Sequence, residues 1–345
     1  MPERSVVFDK KNVLVTGGAG FIGSFLCEAL LKQGNARVIC LDNFVTSQES
    51  NIDSLLKNQD FEFIRHDINV PFDPEAYPEL TRFRLKVQGI QEIYHLACPT
   101  SPKKFDQYKM QTLYANSIGM KNMLDLAARF HSRVVHTSTS VVYGARPADG
   151  HGFKEEEHGS ADTLSPRACY DEGKRFSETM CATYAQVQGL DIRIARIFRV
   201  YGPRMPLYEA HMIPDFILNA LDQKDLEIYG DESFRTSLLY VSDAVEALIK
   251  MMAAPAGLGP VNIGSDIDVR ILDVAQKILE MTGSGSKIAF KDALLFMTPL
   301  GLPDLGKIKE SLGWLPLVTL DDGLRRTVEY AVSHRSLLGL HSYVG

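Results

Sequence analysis

The segment Val13-Leu14-Val15-Thr16-Gly17-Gly18-Ala19-Gly20-Phe21-Ile22-Gly23 constrains this chain more than any other. A β-branched run stops at Gly17, and apolar residues resume at helical spacing from Ile22 to Lys32, so the glycines fall between a strand and a helix. The backbone must turn tightly at Gly17, approach a pyrophosphate at Gly20, and let helix and strand pack closely at Gly23, with the helix N-terminus facing the anion. Phe21 and Ile22, which open that helix, join the glycines as candidate cofactor-binding residues. A second run, Arg37 to Leu41, ends in Asp42 and Asn43; Asp42 stands nineteen residues past Gly23, where a carboxylate accepts hydrogen bonds from a ribose diol. An acid there repels a 2′-phosphate, so NAD is expected rather than NADP.

Further runs at Phe61 to Arg65, Glu92 to Leu96, Arg133 to Ser138 and Asp191 to Arg196 alternate with helical stretches at Lys109 to Phe130 and Tyr170 to Gln188. That cadence predicts an α/β fold, a Rossmann-type doubly wound parallel sheet with a smaller C-terminal α/β lobe. The expected division is a cofactor domain over residues 1–200 and a mainly substrate-binding lobe over 201–345, where Pro203, Pro206 and Pro214 change the texture. A short strand, Val261 to Ile263, is expected to rejoin the main sheet. With 345 residues, 45% of them hydrophobic, the chain can bury a large core. A formal net charge of −6 argues against nucleic acid as the main partner. No run reaches the ~18 apolar residues of a membrane span, and Met1 to Lys11 is mixed and charged, so a cytoplasmic protein with no membrane partner is expected. Five cysteines without a CxxC pair read as reduced, mostly buried thiols.

Tyr170 and Lys174 are four residues apart in a helical segment, about one turn, so they share a face. An ammonium beside a phenol favours the phenolate, which lowers the tyrosine pKa and lets it take a proton from a hydroxyl. Tyr170 is the expected base and Lys174 its tuner. Thirty-one residues upstream of Tyr170, a strand ends in Thr137, Ser138, Thr139 and Ser140. Thr139 is the candidate to bind the same substrate oxygen as Tyr170.

Together the glycine motif, the hydroxyl-rich strand end and the YxxxK pair resemble the extended short-chain dehydrogenase/reductase superfamily that modifies nucleotide sugars. More narrowly, LDNFVTS at Leu41, IRHDI at Ile64, YHLACPTSP at Tyr94, CYDEGKR at Cys169, RIARIF with YGPRM around Arg193 to Met205, and YVSD at Tyr240 are similar to UDP-glucuronate decarboxylases. The resemblance implies a bound NAD that accepts a hydride from C4 of the sugar while Tyr170 removes the 4-hydroxyl proton. Carbon dioxide then leaves the 4-keto acid and the hydride returns. It also implies that Asp67 and Ile68 flank the adenine, that Leu96 and Ala97 lie along the cofactor, and that Pro99, Ser101 and Tyr108 meet the sugar or its phosphates; Ser140, from the hydroxyl-rich strand end, is a further candidate for substrate binding. Tyr229 falls near the nucleotide base. The helices Lys109 to Phe130 and Tyr170 to Gln188 resemble a pair that builds a homodimer interface.

Departures from that pattern cluster on the substrate side. Where the decarboxylases have TSEVYG, this chain has TSVVYG, with Val141 in place of an acid. The family's asparagine after RIARIF is Arg199, an arginine able to grip a carboxylate or phosphate bidentately. The family's TRSF becomes Arg235-Thr236-Ser237-Leu238, and a basic stretch becomes FMTPLGLPD from Phe296 to Asp304. Local positive charge for a phosphorylated substrate is therefore expected at Arg199, Arg204 and Arg235. Decarboxylation of a UDP-glucuronate-like substrate stands first; nucleotide-sugar 4-epimerisation, which needs no such acid, stands second, and a non-catalytic NAD-binding regulator third. His95, His136 and the Glu155 to His158 run lack metal-site spacing, so no metal is expected.

Overall fold

Period-two burial organises the N-terminal half. In a computed structural model that describes residues 8–100, 105–206, 211–292 and 301–338, strand β1 (Lys11–Thr16) sends Val13 and Val15 to one face of a sheet and Leu14 to the other. All three are fully buried, as expected of a strand covered by helices on both sides. Val13 and Val15 share a core with Leu26, Cys27 and Leu30 of helix α1 (Phe21–Lys32). Leu14 packs instead with Met120, Met123 and Leu124 on the opposite layer.

The remaining strands are β2 (Ala36–Asp42), β3 (Phe61–Arg65), β4 (Glu92–His95), β5 (Arg133–Thr139), β6 (Ile192–Ile197), β7 (Val200–Tyr201), β8 (Leu226–Tyr229), β9 (Arg235–Thr236), β10 (Leu239–Tyr240), β11 (Pro260–Ile263), β12 (Val269–Arg270) and β13 (Ile288–Lys291). Seven of them form one sheet in the order β11-β6-β5-β4-β1-β2-β3, with every pair parallel. The order reverses between β1 and β4, and at that switch point the strand ends open a crevice. Val261 to Ile263 does lie in this sheet, in register with Ala195 to Ile197.

The helices after α1 are α2 (Leu85–Gln88), α3 (Phe105–Tyr114), α4 (Met120–Phe130), α5 (Ala168–Gln188), α6 (Met212–Leu221), α7 (Val241–Ala253), α8 (Ile271–Thr282), α9 (Gly306–Leu312) and α10 (Leu320–Leu338). The single helix expected over Lys109 to Phe130 is in fact α3 and α4 joined by a π-helical turn, Ala115–Gly119. The physical cause is a close approach: a Cβ on Gly119 would stand 2.7 Å from Ile68 Cδ1, and Asn116 turns inward to donate to the Thr112 carbonyl at 2.9 Å. Such a bulge often marks a functional site, and Ala115 lines the cavity described below. Beyond β6 a smaller lobe pairs β8 with β13 and packs α6 on α8. Its last segment is pinned to α7, where the Asp243 carboxylate accepts the Leu317 and Val318 amides at 3.0 Å and the buried Trp314 indole donates to the Asp243 carbonyl.

Candidate active site

The C-terminal ends of β1, β2, β4, β5 and β6 open into a cavity of about 860 Å³ that continues into the smaller lobe. At one end the glycine turn forms a cradle. A Cβ on Gly17 would lie 2.9 Å from the Ala97 amide nitrogen, and one on Gly23 only 2.1 Å from the Gly17 carbonyl oxygen, so neither position has room for a side chain. Gly17 also has φ +70°, a left-handed conformation that favours glycine. No side chain caps the N-terminus of α1 at Gly20, which leaves that end open to an anion.

Asp42 sits at the end of β2, one strand over. Its carboxylate accepts the Ala19 and Phe44 amides at 3.1 and 2.9 Å and the Ser47 hydroxyl at 2.6 Å. These bonds fix the carboxylate at the cavity wall and leave it acceptor capacity for a diol.

The second cluster lies across the sheet. Tyr170 and Thr139 both line the cavity, and the Thr139 hydroxyl favours the Tyr170 phenolate. Lys174, buried one turn further along α5, donates from Nζ to the Thr137 carbonyl at 2.8 Å. Burial raises the Tyr170 phenol above its usual range, opposed by the Thr139 hydrogen bond and the Arg167 guanidinium. Desolvation of the ring is the leading effect on this phenol in the resting site.

Below Lys174, His95 of β4 and His136 of β5 stack with ring centroids 5.6 Å apart. Thr16 Oγ1 accepts the Leu96 and Ala97 amides at 3.2 and 3.3 Å, so its own hydrogen goes to His95 Nδ1 at 2.8 Å. Ser177 Oγ donates to the Lys174 carbonyl and therefore accepts from His136 Nε2, both at 2.8 Å. Both rings are neutral Nε2–H tautomers, and the His136 Nδ1 lone pair is buried with no partner. Burial and the Lys174 ammonium hold His95 down to about 3 and His136 well below its ordinary value.

A buried network braces the cluster. Arg196 of β6 grips Glu178 of α5 at 3.0 and 2.7 Å and donates to the Tyr143 hydroxyl at 2.9 Å, which in turn donates to Asn262 of β11 at 2.7 Å.

The model of the NAD dependent epimerase/dehydratase family matches residues 13–264, from β1 to just past β11. The chain belongs to that family. UDP-glucuronic acid decarboxylase 1 of Xenopus tropicalis is 38% identical over 322 residues, covering 93% of this chain and 72% of that relative. A UDP-glucuronic acid 4-epimerase from Bacillus cereus, solved with UDP-glucuronic acid and NAD, superposes with a TM-score of 0.80 at 28% identity, covering 93% of this chain and 99% of that one. UDP-glucose 4-epimerase from Thermotoga maritima, solved with UDP-glucose, gives a TM-score of 0.81 at 27% identity over 94% and 99%. The family's cofactor is NAD, and the cradle, the open helix end and Asp42 fit a dinucleotide.

Most residues expected at the cofactor line the cavity: Gly17, Gly20, Phe21, Ile22 and Gly23 from the glycine motif, Asp42 and Asn43 after β2, and Ile68, Leu96 and Ala97. Asp67 does not; it is exposed, its carboxylate accepts the Asn69 amide at 2.9 Å, and His66 takes the wall instead. On the substrate side Pro99, Ser140, Arg199 and Tyr229 line the cavity. Tyr108, on α3 at a kink with φ −113°, is not among the residues that line it. Ser101 is outside the described residues.

Two of the three expected arginines are engaged elsewhere. Arg204 bonds Glu28 of α1 at 2.9 Å and stacks on Phe25, and Arg235 is held by Asp268 at 2.9 Å, also outside the cavity. Each was drawn away by an acid that the fold brings from a distant segment. Arg167, at the cavity wall three residues before Tyr170, was missed. Its spacing on the face shared by Tyr170 and Lys174 was the available signal. Among the described residues no helix is long and apolar enough to cross a membrane, and no group of three or more His, Cys, Asp or Glu could hold a metal ion.

Proposed function

We propose that this chain oxidises a nucleotide-linked hexuronate at C4 and releases carbon dioxide from the resulting 4-keto acid. The observation that carries this reading is that Thr139, Tyr170 and Lys174 line the same cavity as the glycine cradle, with Lys174 one turn along the helix from Tyr170 and anchored on the Thr137 carbonyl. Thr139 orients the 4-hydroxyl and Tyr170 takes its proton. Lys174, and Arg167 through its charge, favour the phenolate that burial disfavours. The bound NAD supplies a hydride acceptor at the start and a hydride donor at the end. Between those events the electrons of the bond to the carboxyl carbon flow into the C4 carbonyl, carbon dioxide departs, and a proton taken up from solvent water reaches C5 of the enolate; as the hydride comes back to C4, Tyr170 returns its own proton to the C4 oxygen.

Val141 supports a second reading. It is a buried residue on the cavity wall where the decarboxylase pattern carries an acid, and a 4-epimerase, which reopens and closes the same C4–H bond from the opposite face, needs no acid there. The test is to purify the protein, identify any NAD that co-purifies, and supply UDP-glucuronate while following carbon dioxide and sugars by NMR. A pentose supports decarboxylation and a galacturonate supports epimerisation. Turnover of a different nucleotide sugar only would sink the substrate assignment. A regulator without catalysis is distinguished by Tyr170→Phe, which abolishes turnover but leaves a sensor untouched.

A homodimer formed through α3 and α5 fits the exposed Met110, Leu113, Tyr114 and Phe176 on those helices. The location we propose is the cytosol, where five free thiols stay reduced.

A further inference from the structure

Arg199 follows β6 by two residues, and Ile197 of that strand is in register with Thr139 on β5. The arginine therefore leaves the sheet edge beside the Thr139–Val141 turn, not from the smaller lobe. It is half-buried and lines the cavity. Among the described residues no carboxylate pairs with it, whereas Arg196, Arg204 and Arg235 each have an acid. Its charged neighbour is another cation, Arg167, and burial together with Arg167 holds the Arg199 guanidinium down to about 10. A desolvated cation beside a like charge is costly unless an anion occupies the site with it.

The ring carbon next to C4 carries the uronate carboxylate. The diphosphate leaves from the far side of the ring, toward the lobe where Lys224, Glu227 and Tyr229 line the cavity. An anion site beside Thr139 and Tyr170 thus faces the carboxylate. We infer that Arg199 is the carboxylate anchor of this enzyme, a specificity-determining residue that selects nucleotide-linked uronates over neutral hexoses. This inference rests on the C4 chemistry proposed above for the placement of the sugar. The planar guanidinium offers the carboxylate a bidentate fork, which Val141 and Ser140 cannot.

The test measures dissociation constants of UDP-glucuronate and UDP-glucose by calorimetry on the NAD-loaded protein, for wild type, Arg199→Gln and Arg199→Lys, with C4 oxidation followed in parallel as NADH absorbance. Arg199→Gln should weaken UDP-glucuronate about 100-fold and UDP-glucose less than ~3-fold, so the preference collapses. Arg199→Lys should recover part of it, since it keeps the charge and loses the fork. Thermal melting should be unchanged or raised in Arg199→Gln, because an unpaired buried charge is removed. Equal weakening of both ligands assigns Arg199 to the shared diphosphate and overturns the anchor; so does no change in either. Absence of C4 oxidation with the affinity ratio behaving as expected sinks the C4 reading and retains the anchor.

Discussion

Replacing His136 with leucine should flatten the acid limb of the stability curve. In the native protein His95 and His136 are 2% and 1% exposed, and both rings stay neutral because burial and the Lys174 ammonium oppose a second positive charge. At pH 7.5 the folded and unfolded states both hold neutral rings and the pair contributes no slope. As pH falls through the unfolded value of ~6.5, each unfolded histidine binds a proton that its native counterpart, held near 3 in the case of His95, does not. The unfolded state then binds more protons, so stability falls with falling pH. At pH 5 the loss is about 2 kcal/mol for His95, from RT ln(1 + 10^1.5), and has the same sign for His136, whose native value also lies well below the ordinary one.

His136→Leu removes one of the two. Its native cost is small, since the Nδ1 lone pair already lacks a partner and Ser177 keeps its bond to the Lys174 carbonyl. Urea unfolding at pH 7.5, 6 and 5 should therefore show the variant gaining stability relative to wild type as pH falls, up to the ceiling of about 2 kcal/mol that the unfolded value sets at pH 5. Parallel curves, within ~0.5 kcal/mol, would mean that His136 titrates normally in the native state and would refute the buried neutral pair. An NMR titration of His95 between pH 5 and 7 provides the independent check, and no change in its ring signals is expected.

Tyr170→Phe keeps the ring and its packing, so melting should be preserved while turnover falls by about 10²- to 10⁴-fold; retained turnover would remove Tyr170 as the base. Gly23→Ala places a methyl 2.1 Å from the Gly17 carbonyl oxygen, against 3.1 Å for Gly20→Ala. The first should destabilise by about 1–3 kcal/mol and weaken NAD, and the second should do markedly less, as read by urea unfolding and NAD titration. Asp42→Ala should raise the dissociation constant for NAD by roughly 10-fold or more, measured by fluorescence titration; unaltered binding would remove the ribose assignment.

The cofactor half of the site was legible because its determinants are local. A glycine where a Cβ would strike the next backbone segment, a strand ending in an acid, and four-residue spacing on one helix all follow from chain geometry within a few residues. The arginines were not legible in this way. Arg204 is paired with Glu28, which precedes it by 176 residues, and Arg235 with Asp268, 33 residues on; no pattern near either position signals such a partner. Asp67 stands exposed between two cavity-lining residues, His66 and Ile68, because its turn folds the carboxylate back onto the Asn69 amide.

By itself, then, the sequence determined the parallel sheet, the dinucleotide cradle and the Tyr170–Lys174 face, since periodicity and steric exclusion act along the chain. Tertiary structure decided which charges remain available to a ligand. Whether a guanidinium is free depends on the acids that folding brings beside it, and folding brings acids to Arg204 and Arg235 but another cation to Arg199.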